Sequence, residues 1–366
     1  MDVAESAPIF VVGTGRSGTT LLRRVLCAHP RIHIAHELSF YVWRDLAGRR
    51  RDAASFVRYF FRTFSFRWQR LDPAEVLRRL PSAPDRPEAL PAVFETVMRC
   101  LAEREGKARF GDKTPGHASH LAQIYADFPE ARVVHVVRDP RGTLPSLARM
   151  PWASGADLAN AFLYEGDFRA TEAYRERLLR VRLEDLVAEP EPTLRRVLDF
   201  VGEPFDPRVL EHSAHPPHHD GAPPLPWLAG AARPVATGRA AGASLPPLRL
   251  RKIEWLCRRA MAAYGYAPAD PAEVPEFSPL RLWLAILREV PETVRTVWIL
   301  GRLMARYRDP ANFDDPATDA LFARLNPGAW RHYPGFEMPR PPPLPAAESG
   351  PAALTAEPGA GEHAAR

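Results

Sequence analysis

Short unbroken apolar runs alternate with stretches of helical spacing over the first half of the chain. Residues 9–12 read IFVV between Pro8 and Gly13, and residues 132–137 read RVVHVV ahead of a polar turn. Runs of this length, rich in β-branched residues, predict strands buried on both faces of a parallel sheet. Weaker strand signals fall at residues 31–35, 108–114 and 178–183. Helical spacing is read at residues 21–28, 117–128, 142–150, 157–177 and 191–201. Strands alternating with helices imply an α/β fold with a doubly wound parallel sheet.

Other segments interrupt or extend this pattern. Residues 38–107 read as a helical insertion, and its stretch 58–68 is crowded with aromatics. Those rings suit either plain packing or an acceptor pocket. Residues 212–247 are rich in Pro, Gly, Ala and His and read as a loop or lid. A helix over 248–264 closes at Gly265. Residues 267–338 read as a C-terminal helical extension, helical over 279–307 with a break or kink at Pro291. Residues 339–366 are Pro/Ala/Gly-rich and are expected to be disordered.

Composition changes this picture little. The 366 residues carry a formal net charge of +5. Spread over that length, the excess is weak evidence for nucleic acid and suits an anionic small molecule equally well. Three of the 49 Lys plus Arg are lysines (Lys107, Lys113 and Lys252), so a lysine is a rare choice here. Cys27, Cys100 and Cys257 form no ligand or disulfide pattern, which predicts a reducing compartment, the cytoplasm. Residues 1–8 carry no leader signal, and no apolar run has the length of a membrane span.

The chemistry is concentrated after the strands. Residues 13–20 read GTGRSGTT between a strand and a helix. Backbone N–H groups there, together with the helix N-terminus, make an anion site. Gly13, Gly15 and Gly18 permit the tight turn, Arg16 offers a charged fork, and Ser17, Thr19 and Thr20 complete the loop. An ATP-type loop places lysine before its final Ser or Thr. Thr19 stands there instead, which argues against ordinary nucleoside triphosphate hydrolysis. A second anion site is read in RDPRGTLPS, with Arg138 at a strand end and Ser146 in the next helix. Two such sites suggest a ligand with two separated phosphates.

In order, GRSGTTLLRRVLCAHP (15–30), GDKTP (111–115), VVHVVRDPRGTLPSL (133–147) and VRLEDLVAEPEPTLRRVLDFVG (181–202) resemble the sulfotransferases that use 3′-phosphoadenosine 5′-phosphosulfate, PAPS. The likeness covers residues 8–266. It implies a P-loop-NTPase-like sheet and sulfuryl transfer from PAPS to a hydroxyl or amine without metal. The first loop looks especially like that of tyrosylprotein sulfotransferases, where an acidic residue after Ala-His-Pro is the base; Glu37 falls at that place. The resemblance also implies that Arg16 and Lys113 stabilise the leaving phosphate, that Gly15, Arg16, Ser17, Gly18, Thr19, Thr20, Arg138 and Ser146 bind the nucleotide, and that Arg239 contacts it from the lid. Ala240 stands where relatives often carry Trp. The nearest histidine to Lys113 is His117, and Glu37 is preferred over it as base.

Small-molecule, carbohydrate, lipid and peptide acceptors stay open; no nucleic-acid partner is expected. Competing readings are a P-loop kinase-like phosphotransferase and an inactive relative that binds at a membrane surface. His212, His215, His218 and His219 with Asp220 suit a solvated lid better than a metal site. Arg281, Arg288, Arg295 and Arg302 recur every seven residues opposite Trp283, Leu284, Leu287 and Val294. Packing on its own domain is the plainer expectation for that helix, and peripheral membrane contact the alternative.

Overall fold

The computed structural model describes residues 7–48, 53–80, 90–232 and 245–343. Five parallel strands form one sheet: β1 (Ile9–Val12), β2 (Ile32–His36), β3 (Arg109–Lys113), β4 (Arg132–Val137) and β5 (Leu178–Arg182), in the order β2-β3-β1-β4-β5. The central strand β1 is continuously apolar because both its faces are covered, whereas β3 buries Arg109, Asp112 and Lys113 among its five residues. From β1, Phe10 and Val12 enter one core, and Ile9 and Val11 enter another. The second core is closed by Leu22, Val25 and Leu26 of α1 (Thr19–Ala28). The arrangement is a P-loop-like, doubly wound α/β fold.

The first core is closed by the insertion. Its helices are α2 (Phe40–Ala47), α3 (Ala53–Arg62), α4 (Phe64–Trp68), α5 (Pro73–Arg79) and α6 (Leu90–Arg104). Phe40 packs edge-on against Phe56 and Phe60, at centroid distances of 5.2 and 5.1 Å. Most rings of the crowded aromatic stretch are therefore core. Phe64 and Trp68 differ: they line a large cavity at the edge of the sheet.

A 3-10 turn over Pro115–His120 and α7 (Leu121–Asp127) come after β3, where the sequence suggested one helix. After β4, α8 (Pro140–Leu147) starts two residues earlier than its spacing suggests, because Asp139 caps it by accepting from the Arg141 N–H at 2.8 Å. Next come α9 (Asp157–Glu172), α10 (Leu183–Ala188) and α11 (Pro190–Val201), then α12 (Pro247–Leu256) and α13 (Arg258–Tyr264), which part at Cys257.

The C-terminal extension holds α14 (Pro279–Leu287), α15 (Val290–Tyr307) and α16 (Pro316–Ala323). The helical run breaks at residues 288–289, just ahead of Pro291. Pro291 itself sits in the first turn of α15, where its missing N–H has no partner to lose. The extension folds back onto the sheet domain: Tyr59 donates to the Tyr307 carbonyl at 2.7 Å, and the Asn326 amide donates to the Ala148 and Met150 carbonyls, each at 3.0 Å. The expected tail begins as ordered chain, since Arg67 donates to the carbonyls of Pro341 (3.0 Å) and Pro342 (2.9 Å). Residues 344–366 lie outside the described residues.

Candidate active site

Parallel strands carry the loops at their C-terminal ends to one edge of the sheet. Here the order along that edge is Glu37 after β2, Lys113 at the end of β3, the glycine loop after β1, and Arg138 after β4. The two sequence-predicted anion sites are thus neighbours: the Arg138 guanidinium donates to the Arg16 carbonyl at 3.2 Å. Arg16 donates to Ser146 Oγ at 3.2 Å and to the Trp227 carbonyl at 3.1 Å.

The loop is built for a close approach. Gly13 has φ +143°, and a Cβ there would stand 2.3 Å from the Val136 carbonyl oxygen. Gly18 has φ +104° and would place its Cβ 2.6 Å from Leu183 Cδ1. Neither position admits a side chain. Ser17 Oγ is buried without a hydrogen-bond partner. Arg16 and Arg138 are half-buried, and neither forms an ion pair among the described residues. Burial is the largest influence on both, drawing their pKa values down from the ordinary arginine range. Half-buried cations without counterions, beside a loop of backbone donors, form an anion-binding edge.

Lys113 lies beneath that edge, fully buried. Its Nζ donates to Glu37 Oε1 at 2.5 Å and to Thr20 Oγ1 at 3.3 Å. Burial pulls the ammonium pKa below its ordinary value, and Glu37 pushes the other way. Glu37 itself is half-buried, with its side chain 42% exposed, and lines the cavity. Its N–H donates to the Lys113 carbonyl at 2.8 Å. Among the described residues, four non-glycines have positive φ; two of them are Arg16 (+71°) and Glu37 (+44°). Strain held at these two positions fits a functional edge.

The cavity, of about 540 Å³, runs from the glycine loop to an aromatic wall. Arg16, Thr19, Thr20 and Glu37 line one end. Phe64, Trp68, Trp152, Trp227, Tyr307 and Phe313 line the rest. The volume suits a small-molecule site.

A model of the sulfotransferase family matches residues 8–207. The chain belongs to the sulfotransferase family. It is 27% identical over 215 residues to protein-tyrosine sulfotransferase A of Caenorhabditis elegans, covering 56% of this chain and 52% of that protein. It is 25% identical over 263 residues to the omega-hydroxy-beta-dihydromenaquinone-9 sulfotransferase Stf3 of Mycobacterium bovis, covering 58% of this chain and 68% of that one. The chain thus spans about half the length of the first of these relatives, 52%. Among solved structures, the sulfotransferase domain from the curacin biosynthetic pathway aligns at TM-score 0.50 and 17% identity, covering 72% of this chain and 99% of that domain. That similarity speaks to the fold.

Within this family member, His117 is core rather than cavity: its Nδ1 lies 3.1 Å from Asp112 Oδ2, and both side chains are fully buried. Arg239 lies outside the described residues. No group of three or more His, Cys, Asp or Glu among the described residues is placed to hold a metal ion. Asp220 of the histidine-rich loop instead anchors that loop, pairing with buried Arg23 and, at 2.8 Å, with Arg24. The anchor lays Gly221, Leu225 and Trp227 over the cavity.

Sequence reasoning passed over several cavity residues. Trp152 and Trp227 line it, beside Trp68 of the aromatic stretch read above as core or acceptor pocket. Their placement between regular elements, outside any core spacing, is the signal that could have found them. Asp167 of α9 was missed as well. It is half-buried in the cavity wall and accepts from Thr14 Oγ1 at 2.7 Å. Desolvation pushes its pKa up to about 7, and the Thr14 hydrogen bond opposes the shift only in part. The unfolded chain, with an ordinary carboxylate, holds fewer protons than the folded one between the ordinary value of 3.8 and about 7. Asp167 therefore costs stability as pH rises through that window. Asp167→Asn is expected to raise the melting temperature relative to the parent increasingly from mildly acidic to neutral pH. A difference between the two melts that does not vary with pH would remove the shift.

Proposed function

We propose that this protein transfers a sulfuryl group from PAPS to a hydroxyl or amine acceptor. The observation that carries the reading is the row Glu37–Lys113–glycine loop–Arg138 along one sheet edge, with Glu37 and the loop opening on the same cavity. The residues fit a nucleotide with two separated phosphates. Ser17 Oγ awaits a partner, Gly13 and Gly18 let the loop turn tightly against β4 and α10 ahead of the α1 N-terminus, and Arg16 and Arg138 supply positive charge without a counterion among the described residues. The loop with Arg16, Thr19 and Thr20 would hold the 5′ end; Arg138 and Ser146 would hold the 3′-phosphate.

Bound there, PAPS supplies an activated sulfuryl group on a phosphate that can leave. Glu37 takes the acceptor proton at its exposed carboxylate. Lys113, the loop N–H groups and Arg16 stabilise negative charge on the leaving phosphate oxygen. Trp227 and the rest of the loop anchored by Asp220 keep water away from the reacting end. Phe64, Trp68 and Phe313 favour an acceptor that joins an apolar body to one hydroxyl. Two relatives, a protein-tyrosine sulfotransferase and an omega-hydroxy-beta-dihydromenaquinone-9 sulfotransferase, are compatible with such an acceptor.

The experiment is a thermal-shift series. Adenosine 3′,5′-bisphosphate is expected to raise the melting temperature without added metal, and ATP with Mg²⁺ to raise it far less. At a ligand concentration 100 times Kd the stabilisation is about 2.7 kcal/mol. A larger shift with ATP and Mg²⁺ would favour the phosphotransferase reading and sink this one.

A further inference from the structure

The C-terminal extension turns its apolar side outward. Leu280, Trp283, Leu284, Leu287, Val290, Val294, Val297 and Trp298 are all exposed, with Trp283 50% and Trp298 52% accessible. Positions 280, 283, 287, 290, 294, 298 and 301 recur at three or four residues, so the stripe continues from α14 into α15. It takes in the length of α14 and about the first three turns of α15. This reverses the plainer sequence expectation, in which the apolar side packs on the domain. The inward side holds Thr296, which shares a hydrogen bond of 2.9 Å with Ser154, and Ile299 and Leu303, which pack with Leu325 in a small separate core.

The charge around the stripe is of one sign. Arg281, Arg288 and Arg302 are exposed on the same two helices. Arg302 stacks on Trp298 with its guanidinium 4.9 Å from the ring centroid. Trp283 meets Trp255 at 5.2 Å, which joins the stripe to α12 and to the exposed pair Arg258 and Arg259 beyond it. Phe162 of α9, itself exposed, lies in the same groove as Leu256, Arg258 and Arg259. The acids at the start of α15 are paired: Glu289 pairs with Lys252 and accepts from the Leu158 N–H, and the partly exposed Glu292 is held by Arg295. Among the described residues, exposed acids flank the two helices, at Asp270, Glu273 and Glu276 before them and at Asp309, Asp314 and Asp319 after them.

We propose that this face docks the protein on an anionic lipid bilayer, the tryptophans and aliphatic side chains entering the headgroup boundary and the arginines meeting lipid phosphates. An apolar stripe with Trp and a rim of arginine is the surface such a boundary selects. No helix among the described residues is long and apolar enough to cross a membrane, so the contact lies in the interface plane. The cavity adjoins this face: Leu163, next to Phe162, lines the cavity wall. The docking claim is independent of the donor, because vesicle binding needs no PAPS.

Flotation of the full chain tests it, with vesicles of phosphatidylcholine alone and of phosphatidylcholine mixed with phosphatidylglycerol. The parent is expected to float with the mixed vesicles and to stay with the soluble fraction otherwise. Two double variants, Trp283→Ser with Trp298→Ser and Arg281→Glu with Arg288→Glu, are each expected to bind at least about tenfold more weakly. Their melts should match the parent, since the altered side chains are exposed. Equal flotation of parent and variants would overturn the proposal, as would no flotation at all. So would a dimer by light scattering that the tryptophan variant dissociates, with no vesicle binding, which would make a second copy the occupant. Vesicle binding that appears only after removal of residues 344–366 would assign the stripe to the chain's own tail, and would overturn it too.

Discussion

Glu37→Gln is expected to lower turnover by about 10²- to 10⁴-fold, the range for losing a general base, while adenosine 3′,5′-bisphosphate still binds. Glutamine is the informative replacement because of what Glu37 touches. Its Oε1 accepts from Lys113 Nζ, and Lys113 is fully buried. An amide oxygen keeps that hydrogen bond and removes only the basicity. Alanine would leave a buried ammonium facing an unfilled space, and lost stability would be confused with lost chemistry. The glutamine variant carries its own control. Lys113 is already held below its ordinary pKa by burial, against the pull of Glu37. Without that carboxylate the depression deepens. Below the ordinary value of 10.5 the unfolded chain then holds more protons than the folded one, so stability rises with pH toward that value. The glutamine variant should gain stability on alkalinisation more than the parent does. Steady-state rates with the donor saturating, read beside nucleotide-induced thermal shifts, make the check. Near-parental turnover together with that altered pH profile would leave Glu37 as the partner of Lys113 and nothing more.

Legibility in the chain depends on how far apart the cooperating residues lie. β1 and β4 are legible because a strand covered on both faces is mostly apolar: Ile9–Val12 carries no other signal, and β4 departs from it only at Arg132 and His135. β3 is not legible that way. Its residues RFGDK include Arg109, Asp112 and Lys113, all buried. Each is satisfied from a distant segment: Arg109 by Glu203 at 2.9 Å, Asp112 by the Leu38 N–H at 3.0 Å, Lys113 by Glu37. Charges read as exposure until their partners are known, so residues 108–114 gave only a weak strand signal, and the likeness of the Lys-Thr-Pro element is what set Lys113 apart. The glycine loop was legible because its turn, cations and helix start are contiguous. The aromatic end of the cavity was not. Phe64 comes from the insertion, Trp227 from the lid, Tyr307 and Phe313 from the extension, and no local spacing connects them. The outward stripe of α14 and α15 was legible as a periodicity. Its direction was not, because the same periodicity serves a helix turned either way.

Lys113→Met is the second variant with a large expected effect, and it separates chemistry from folding more cleanly than any change at Glu37. The two members of the pair sit in unequal surroundings: Lys113 has 0% of its side chain exposed, Glu37 has 42%. Removing the buried cation leaves a carboxylate that water already reaches, so the folded state loses little. Methionine fills the slot of the aliphatic stem and carries no charge to desolvate. The melting temperature of Lys113→Met should therefore stay near that of the parent, and above that of Glu37→Ala, which strands the ammonium. Turnover is another matter. The ammonium sits against Thr20 of the glycine loop, where charge would build on a departing phosphate. Losing one fixed donor at such a place costs about 10²- to 10³-fold in rate. The ground-state nucleotide keeps Arg16, Arg138 and the backbone donors, so its affinity should fall far less than kcat. A loss carried mainly by nucleotide affinity, with kcat preserved, would make Lys113 a binding residue and would leave the leaving phosphate to Arg16 and the loop alone.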